Sequence, residues 1–239
     1  MSRYLVASDL HYEFRQLDWI AEQAAEFDAV VLAGDHLDVG GRVDPAAQIV
    51  MMQAYLASLA DETSVIANSG NHDLSVRRPD GEKTAAWLAD CDPRIHTDGA
   101  RVNIGPDLVS VCGWWEGAAT LAELEAQLAA DATHRADRPW IWVYHSPPDA
   151  SPTSWGGRRH FGDDVLNRLV ATHRPDVVLT GHVHDSPFRP DGSWHDRLGD
   201  TLVLNAGRHV GPLPAHLIVD TGEGSVEWWS SYDRGRLAL

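Results

Sequence analysis

A mixed α/β fold built in layers is the class this sequence predicts, on three observations. Short apolar runs rich in β-branched residues recur along the chain. Stretches of helical period fall between several of them. The runs end in polar turns that contain Gly or His. The early runs are separated by helix-length segments and read βαβαβ, whereas the later ones have hairpin-like spacing. A layered mixed sheet fits that pattern better than a uniform parallel barrel.

Strands are expected over residues 4–8, 29–33, 64–67, 108–112, 140–144, 177–180, 202–204 and 216–219. A first helix is expected over 17–27. Asp44-Pro45 opens a second, with a capping Asp before a Pro at the first helical position, and it runs to about residue 60. Residues 121–130 alternate apolar and acidic side chains as a third. Asp163 or Asp164 caps a fourth, which Arg174-Pro175 ends after His173. The Pro- and Gly-rich segment 146–162 has strands on both sides, so it is expected as a surface loop over a site rather than a linker.

Composition narrows the function. The 239 residues, 44% of them hydrophobic, suffice for one large α/β domain with a real core, expected over 1–239. No stretch approaches the roughly 18 apolar residues of a membrane span. The first residues lack a signal-peptide pattern. Cys91 and Cys112 alone make neither a disulfide scaffold nor a zinc ribbon. Cytoplasmic residence is therefore the expectation. A net charge of −16 disfavours long nucleic acids as partners. It is compatible with a small phosphorylated substrate, because bound cations reverse the sign locally. Nothing in the composition bears on oligomeric state.

Five short motifs carry the chemistry, each directly after an expected strand: Asp9-Leu10-His11, Gly34-Asp35-His36-Leu37-Asp38, Gly70-Asn71-His72-Asp73, His145, and Gly181-His182-Val183-His184. In open α/β sheets, side chains that must converge come from loops at the carboxyl ends of strands. Carboxylate, imidazole and amide donors without a thiolate suit divalent metals such as Mn, Fe, Zn or Co, and argue against a purely structural zinc site. Each motif alone is ordinary turn or cap chemistry. Five in this order at strand ends are hard to obtain by chance.

Together these motifs resemble the pattern of the calcineurin-like metallophosphoesterase superfamily, D-x-H, G-D-x-x-D, G-N-H-D/E, H and G-H-x-H, with every element present. The resemblance spans residue 4 to about 219. It implies a four-layer α/β/β/α sandwich of two mixed sheets flanked by helices. It also implies one metal held by Asp9, His11, Asp35 and His184, and a second by Asp35, Asn71, His145 and His182. Two divalent or trivalent ions (Mn, Fe, Zn or Co) would then supply hydroxide for attack on phosphorus. The resemblance gives His72 the leaving oxygen and makes Asp38 the group that hydrogen-bonds the far nitrogen of His72. A phosphodiester of small size is the favoured substrate. The alternatives are a phosphomonoester, a nucleic acid, or a non-catalytic scaffold of the same fold, against which the intact ligand set speaks.

Substrate choice is expected in loops beside the motifs. Arg77, Arg158 and Arg208 are candidates because a guanidinium can grip a phosphoryl group bidentately. His36 is a candidate because it lies inside the second motif. Trp155 is expected to pack its own loop, and the other tryptophans, Trp114 and Trp115 included, are expected to pack in the core or between sheets.

Overall fold

Strands that are apolar on both faces must be covered on both faces, and that requirement organises the chain. The structure, a computed structural model, describes residues 2–239. A seven-stranded sheet runs in the spatial order Arg234–Ala238, Ser225–Trp229, His216–Asp220, Arg3–Ala7, Ala29–Ala33, Ser64–Asn68, Ile95–His96. Its last four strands are mutually parallel, and its other pairings are antiparallel. A six-stranded sheet runs His195–Leu198, Thr201–Asn205, Val177–Thr180, Trp140–Val143, Asp107–Val111, Arg101–Ile104. Its four middle strands are parallel and its two edges antiparallel.

Period-two alternation assigns each strand residue to a layer. Tyr4, Val6, Val31 and Ile66 point inward and pack against Ile141, Val143, Leu179 and Leu204 of the other sheet. Leu5, Val30 and Leu32 point outward, onto Leu17 and Ile20 of the helix Phe14–Gln23 and onto Met52 and Leu56 of the helix Pro45–Leu59. Trp140, Trp142 and Val178 point outward from the second sheet onto Leu124 and Leu128 of the helix Ala118–Ala132 and Leu166 of the helix Asp164–His173. Burying such a Leu, Ile or Val contributes about 1.5–3 kcal/mol. The result is the α/β/β/α sandwich of two mixed sheets. Among the described residues no helix is long and apolar enough to cross a membrane.

Helix ends follow their caps. Asp44 accepts the Ala46 N–H at 2.8 Å, and Asp163 accepts that of Val165 at 2.8 Å. Arg174, in the left-handed region at φ +52°, closes the helix that precedes Pro175. The expected helix 17–27 instead starts at Phe14 and passes into a 3₁₀ turn, Ala24–Glu26. Besides the two-residue strands Val76–Arg77, Lys83–Thr84 and Ile95–His96, four longer strands lie outside the expected set: Arg101–Ile104, His195–Leu198, Ser225–Trp229 and Arg234–Ala238. Three of them are sheet edges, largely solvent-facing and polar, and carry little apolar signal.

Because the central strands of each sheet are parallel, their carboxyl ends gather at one rim. Asp9, His11, Asp35 and Asn71 leave the first sheet there, and His145, His182 and His184 leave the second.

Candidate metal centre

Backbone bonds lock the motif turns together before any side chain is considered. The Asp9 amide donates to Gly34 O at 3.0 Å, that of His11 to Asp35 O at 3.0 Å, and that of Gly181 to His145 O at 2.8 Å. Across the two sheets, the His182 amide donates to both Asp9 carboxylate oxygens at 3.0 Å. Asp9, His11, Asp35 and His182 all occupy the left-handed region, at φ 55°, 43°, 55° and 64°. For non-glycine residues each such conformation costs about 1–3 kcal/mol, held only where surroundings over-determine it. Close approach accounts for two motif glycines. A Cβ on Gly70 would stand 2.3 Å from Asp35 Oδ1, and one on Gly181 would stand 2.4 Å from Asp9 Oδ2.

Two donor groups result. In one, atoms of Asp9, His11, Asp35 and His184 lie within 4.8 Å of one another; in the other, those of Asp35, His145 and His182 do. Asp35 belongs to both. Asn71 joins the second, its Oδ1 lying 2.9 Å from His182 Nδ1. The other distances are short: His11 Nε2 to His184 Nε2 3.1 Å, His184 Nε2 to Asp9 Oδ1 3.2 Å, and His145 Nε2 to Asp35 Oδ2 3.3 Å.

The donor atoms fit cations. His145 Nδ1 donates to Ala33 O at 2.7 Å and His11 Nδ1 to Leu37 O at 3.1 Å, which turns each Nε2 toward the Asp35 carboxylate, where it can ligate a cation in place of a proton. His145 Nε2 is buried with no hydrogen-bond partner among the described residues. Burial lowers the pKa of His11, and burial beside His145 brings that of His182 down to about 4, so both rings are uncharged near neutrality. Burial opposes a charge on His145, but the Asp35 and Asp9 carboxylates hold its pKa up to about 10. Burial likewise opposes ionisation of Asp35, yet His145 and the His72 N–H keep it below the usual carboxylate range. Such a concentration of carboxylates and bare nitrogens is what a pair of divalent ions neutralises.

The remaining predicted residues divide. His72 lies at the site. Its amide donates to Asp35 Oδ1 at 2.8 Å, and its ring meets that of His11 edge-on at 4.6 Å. Asp38 does not hold it. The Asp38 carboxylate accepts the Gly40 N–H at 3.2 Å, its backbone is fastened at both ends by Gln48, and the buried His72 Nδ1 has no partner among the described residues. An acidic side chain two residues before a turn amide takes that local bond, and the orienting role is lost. His36 is no substrate contact either. It is fully buried, with Nε2 donating to Asn68 O at 2.9 Å and its ring edge-on to Trp87. Arg77 donates to Gly81 O within its own hairpin, and Arg158 is exposed at a loop tip. Arg208 is the arginine brought to the site. Its amide donates to His184 O at 3.0 Å, its charge disfavours protonation of His11, and its Nε is buried without a partner among the described residues.

Two contributors escaped the sequence reading. Trp114, expected to pack in the core or between sheets, instead flanks the second donor group, 5.8 Å from the His145 ring and 5.5 Å from that of His182. Its position after the strand Asp107–Val111 was the available signal. Asp73, the last residue of the Gly-Asn-His-Asp motif, pins two turns. Its Oδ2 accepts the Asp35 and Gly70 amides at 2.8 Å, and its Oδ1 accepts those of His36 at 2.9 Å and Leu37 at 3.2 Å. In Asp73→Asn, whichever way the amide turns, its NH₂ faces two backbone donors. The expected cost is about 2–3 kcal/mol, or roughly 5–10 °C in Tm. Thermal unfolding checks this, and an unchanged Tm would show that the pins carry no stability.

A family model described as calcineurin-like phosphoesterase matches residues 2–186. No curated protein sequence gives a significant match. Among solved structures, the chain is similar to the protein TT1561 of Thermus thermophilus at 19% identity and TM-score 0.59, covering 99% of this chain and 98% of that one. It is similar to a dimetal phosphatase from Danio rerio at 11% identity and TM-score 0.58, covering 99% and 98%. It is also similar to the purple acid phosphatase PPD1 from yellow lupin (Lupinus luteus) at 14% identity and TM-score 0.59, covering 99% of this chain and 53% of that one. At these identities the likeness is one of fold.

Proposed function

Since the chain belongs to the calcineurin-like phosphoesterase family, we propose that it is a metal-dependent hydrolase of phosphoester bonds that uses two cations bridged by Asp35. The observation that supports this most is the sharing of one buried carboxylate between two compact donor groups. Asp9, His11, Asp35 and His184 would hold one ion, and Asp35, Asn71, His145 and His182 the other. When bound, such a pair supplies Lewis-acid charge to the phosphoryl oxygens and lowers the pKa of a water.

The chain's own residues do the rest. Arg208, whose Nε has no partner among the described residues, offers its guanidinium to a phosphoryl oxygen, a charge-assisted bond of the stronger kind. His72 gives a proton to the departing oxygen, placed for it by the amide anchor on Asp35 and the edge contact with His11. Trp114 covers one flank of the His145–His182 pair and keeps water from it. A small phosphodiester is the favoured substrate. The segment His182–Asp185 has a recess on either side, one for each ester arm. The net charge of −16 disfavours a long polyanion.

Two measurements test this reading. Mn²⁺-loaded protein is expected to hydrolyse bis-p-nitrophenyl phosphate, and p-nitrophenyl phosphate less readily. Silence on both with two ions bound per chain overturns it. Separately, saturating Mn²⁺ is expected to raise the Tm of chelator-treated protein by about 5–10 °C, from binding at about 100 times Kd. A Tm indifferent to every divalent ion tried would count against any metal centre here.

A further inference from the structure

His184 and Asp185 form a ridge between two unequal recesses. The smaller, about 320 Å³, is bounded by Gly156, Phe161 and His182. The larger, about 740 Å³, is bounded by Phe188, Arg208, His209 and Tyr232 among others. Both begin at a metal-ligand candidate, His184, so a group bound at the metal centre can extend into either.

The larger recess is built unevenly. Near the ridge it presents Arg208, tied through its amide to His184 O, with the Nε–H buried and uncommitted among the described residues. The neighbouring Arg189 is neutralised by Asp185 at 2.5 Å. Farther out, three rings meet in T-shaped, edge-to-face contacts: His209 and Tyr232 with centroids 5.2 Å apart at 66°, Phe188 and His209 6.0 Å apart at 80°, and Phe188 and Tyr232 6.2 Å apart at 88°. The Ser231 amide donates to His209 Nε2 at 3.3 Å and the Gln16 side chain donates to His209 O at 3.1 Å, so the imidazole is a fixed wall. Tyr232 is 74% exposed. Each such contact covers one face at most, the exposure of Tyr232 leaves the rest of its ring open, and an open aromatic face accepts another flat ring.

From this order of features, charge beside the metal ligands and aromatic faces beyond, we propose that the larger recess selects a phosphodiester carrying an aromatic ring on one arm. Arg208 holds the phosphoryl group, Tyr232 and Phe188 hold the ring, and the second, smaller arm lies between Phe161 and His182. The assignment rests on the phosphoesterase reading above and adds a substrate class to it.

Phenylphosphonate and methylphosphonate, which differ in the ring alone and are not hydrolysed, separate the two. Calorimetric titration of Mn²⁺-loaded protein is expected to show phenylphosphonate binding roughly 3–10-fold more tightly. Tyr232→Ala should collapse that ratio toward one, and Tyr232→Phe should preserve it. The exposed position of Tyr232 makes loss of the fold no explanation. Equal affinities in the wild-type protein, or a ratio unmoved in Tyr232→Ala, overturn the assignment. Hydrolysis of bis-p-nitrophenyl phosphate, run on the same samples, distinguishes the two failures. Hydrolysis without ring selectivity sinks the recess alone. Ring selectivity without any hydrolysis sinks the esterase reading and supports the recess.

Discussion

Asp35→Asn is expected to reduce bound metal from two ions per chain to one or fewer and to lower kcat/KM on phosphodiesters by roughly 10³–10⁴-fold. The substitution changes little but charge. Its remaining oxygen can still accept the His72 amide, so the turn that Asp73 pins should persist. What it removes is the anion common to both donor groups. Charge stabilisation by a bound cation is worth several kcal/mol, and each 1.36 kcal/mol is tenfold in rate. Asp9 is not expected to take over, since it belongs to the first donor group alone. Metal analysis by plasma emission alongside steady-state kinetics checks both halves. Two ions retained with activity within tenfold of wild type would remove Asp35 from the bridging position.

His72→Ala is expected to keep two ions per chain while kcat falls by about 10²–10⁴-fold, the range for a lost general acid. The deficit should be smaller for a p-nitrophenolate leaving group, which departs as an anion without help, than for an alkoxide. That dependence separates proton donation from mere packing against His11. His72 follows Asn71, whose Oδ1 lies 2.9 Å from His182 Nδ1, so local collapse is the competing explanation. His72→Gln, which keeps bulk and a hydrogen-bonding group, should retain metal as well. Loss of an ion in both variants would instead make His72 a ligand.

The donor residues were legible because the pattern that exposes them is short-range. Each follows a strand by one to a few residues, and parallel strands deliver their carboxyl ends to one rim whatever the loops between them do. The layers were legible for the same reason. Period-two alternation in 29–33, 140–143 and 177–180 is apolar on both faces, which demands a sheet or helices on each side. Sites of opposite outcome show where this stops. His36 adjoins Asp35 in sequence, yet the turn sends its ring into the core onto Trp87. Asp38 sits in the motif pattern, yet its carboxylate closes its own turn on Gly40. Arg77, Arg158 and Arg208 look alike as loop arginines, and the structure brings the last of them to His184.

Sequence alone therefore determined the layered α/β class, the strand ends that bear donors, and the donor types that suit divalent cations, since these follow from local periodicity and side-chain chemistry. Tertiary structure decided which neighbours of those donors lie at the site: Trp114 and Arg208 against it, Asp73 beneath it, His36 and Asp38 turned away from it. The reason is that a side chain's direction beyond a turn is set by competition among hydrogen bonds and packing contacts from distant segments. The Asp73 carboxylate, 38 residues from Asp35 and holding its amide, shows such a contact at work.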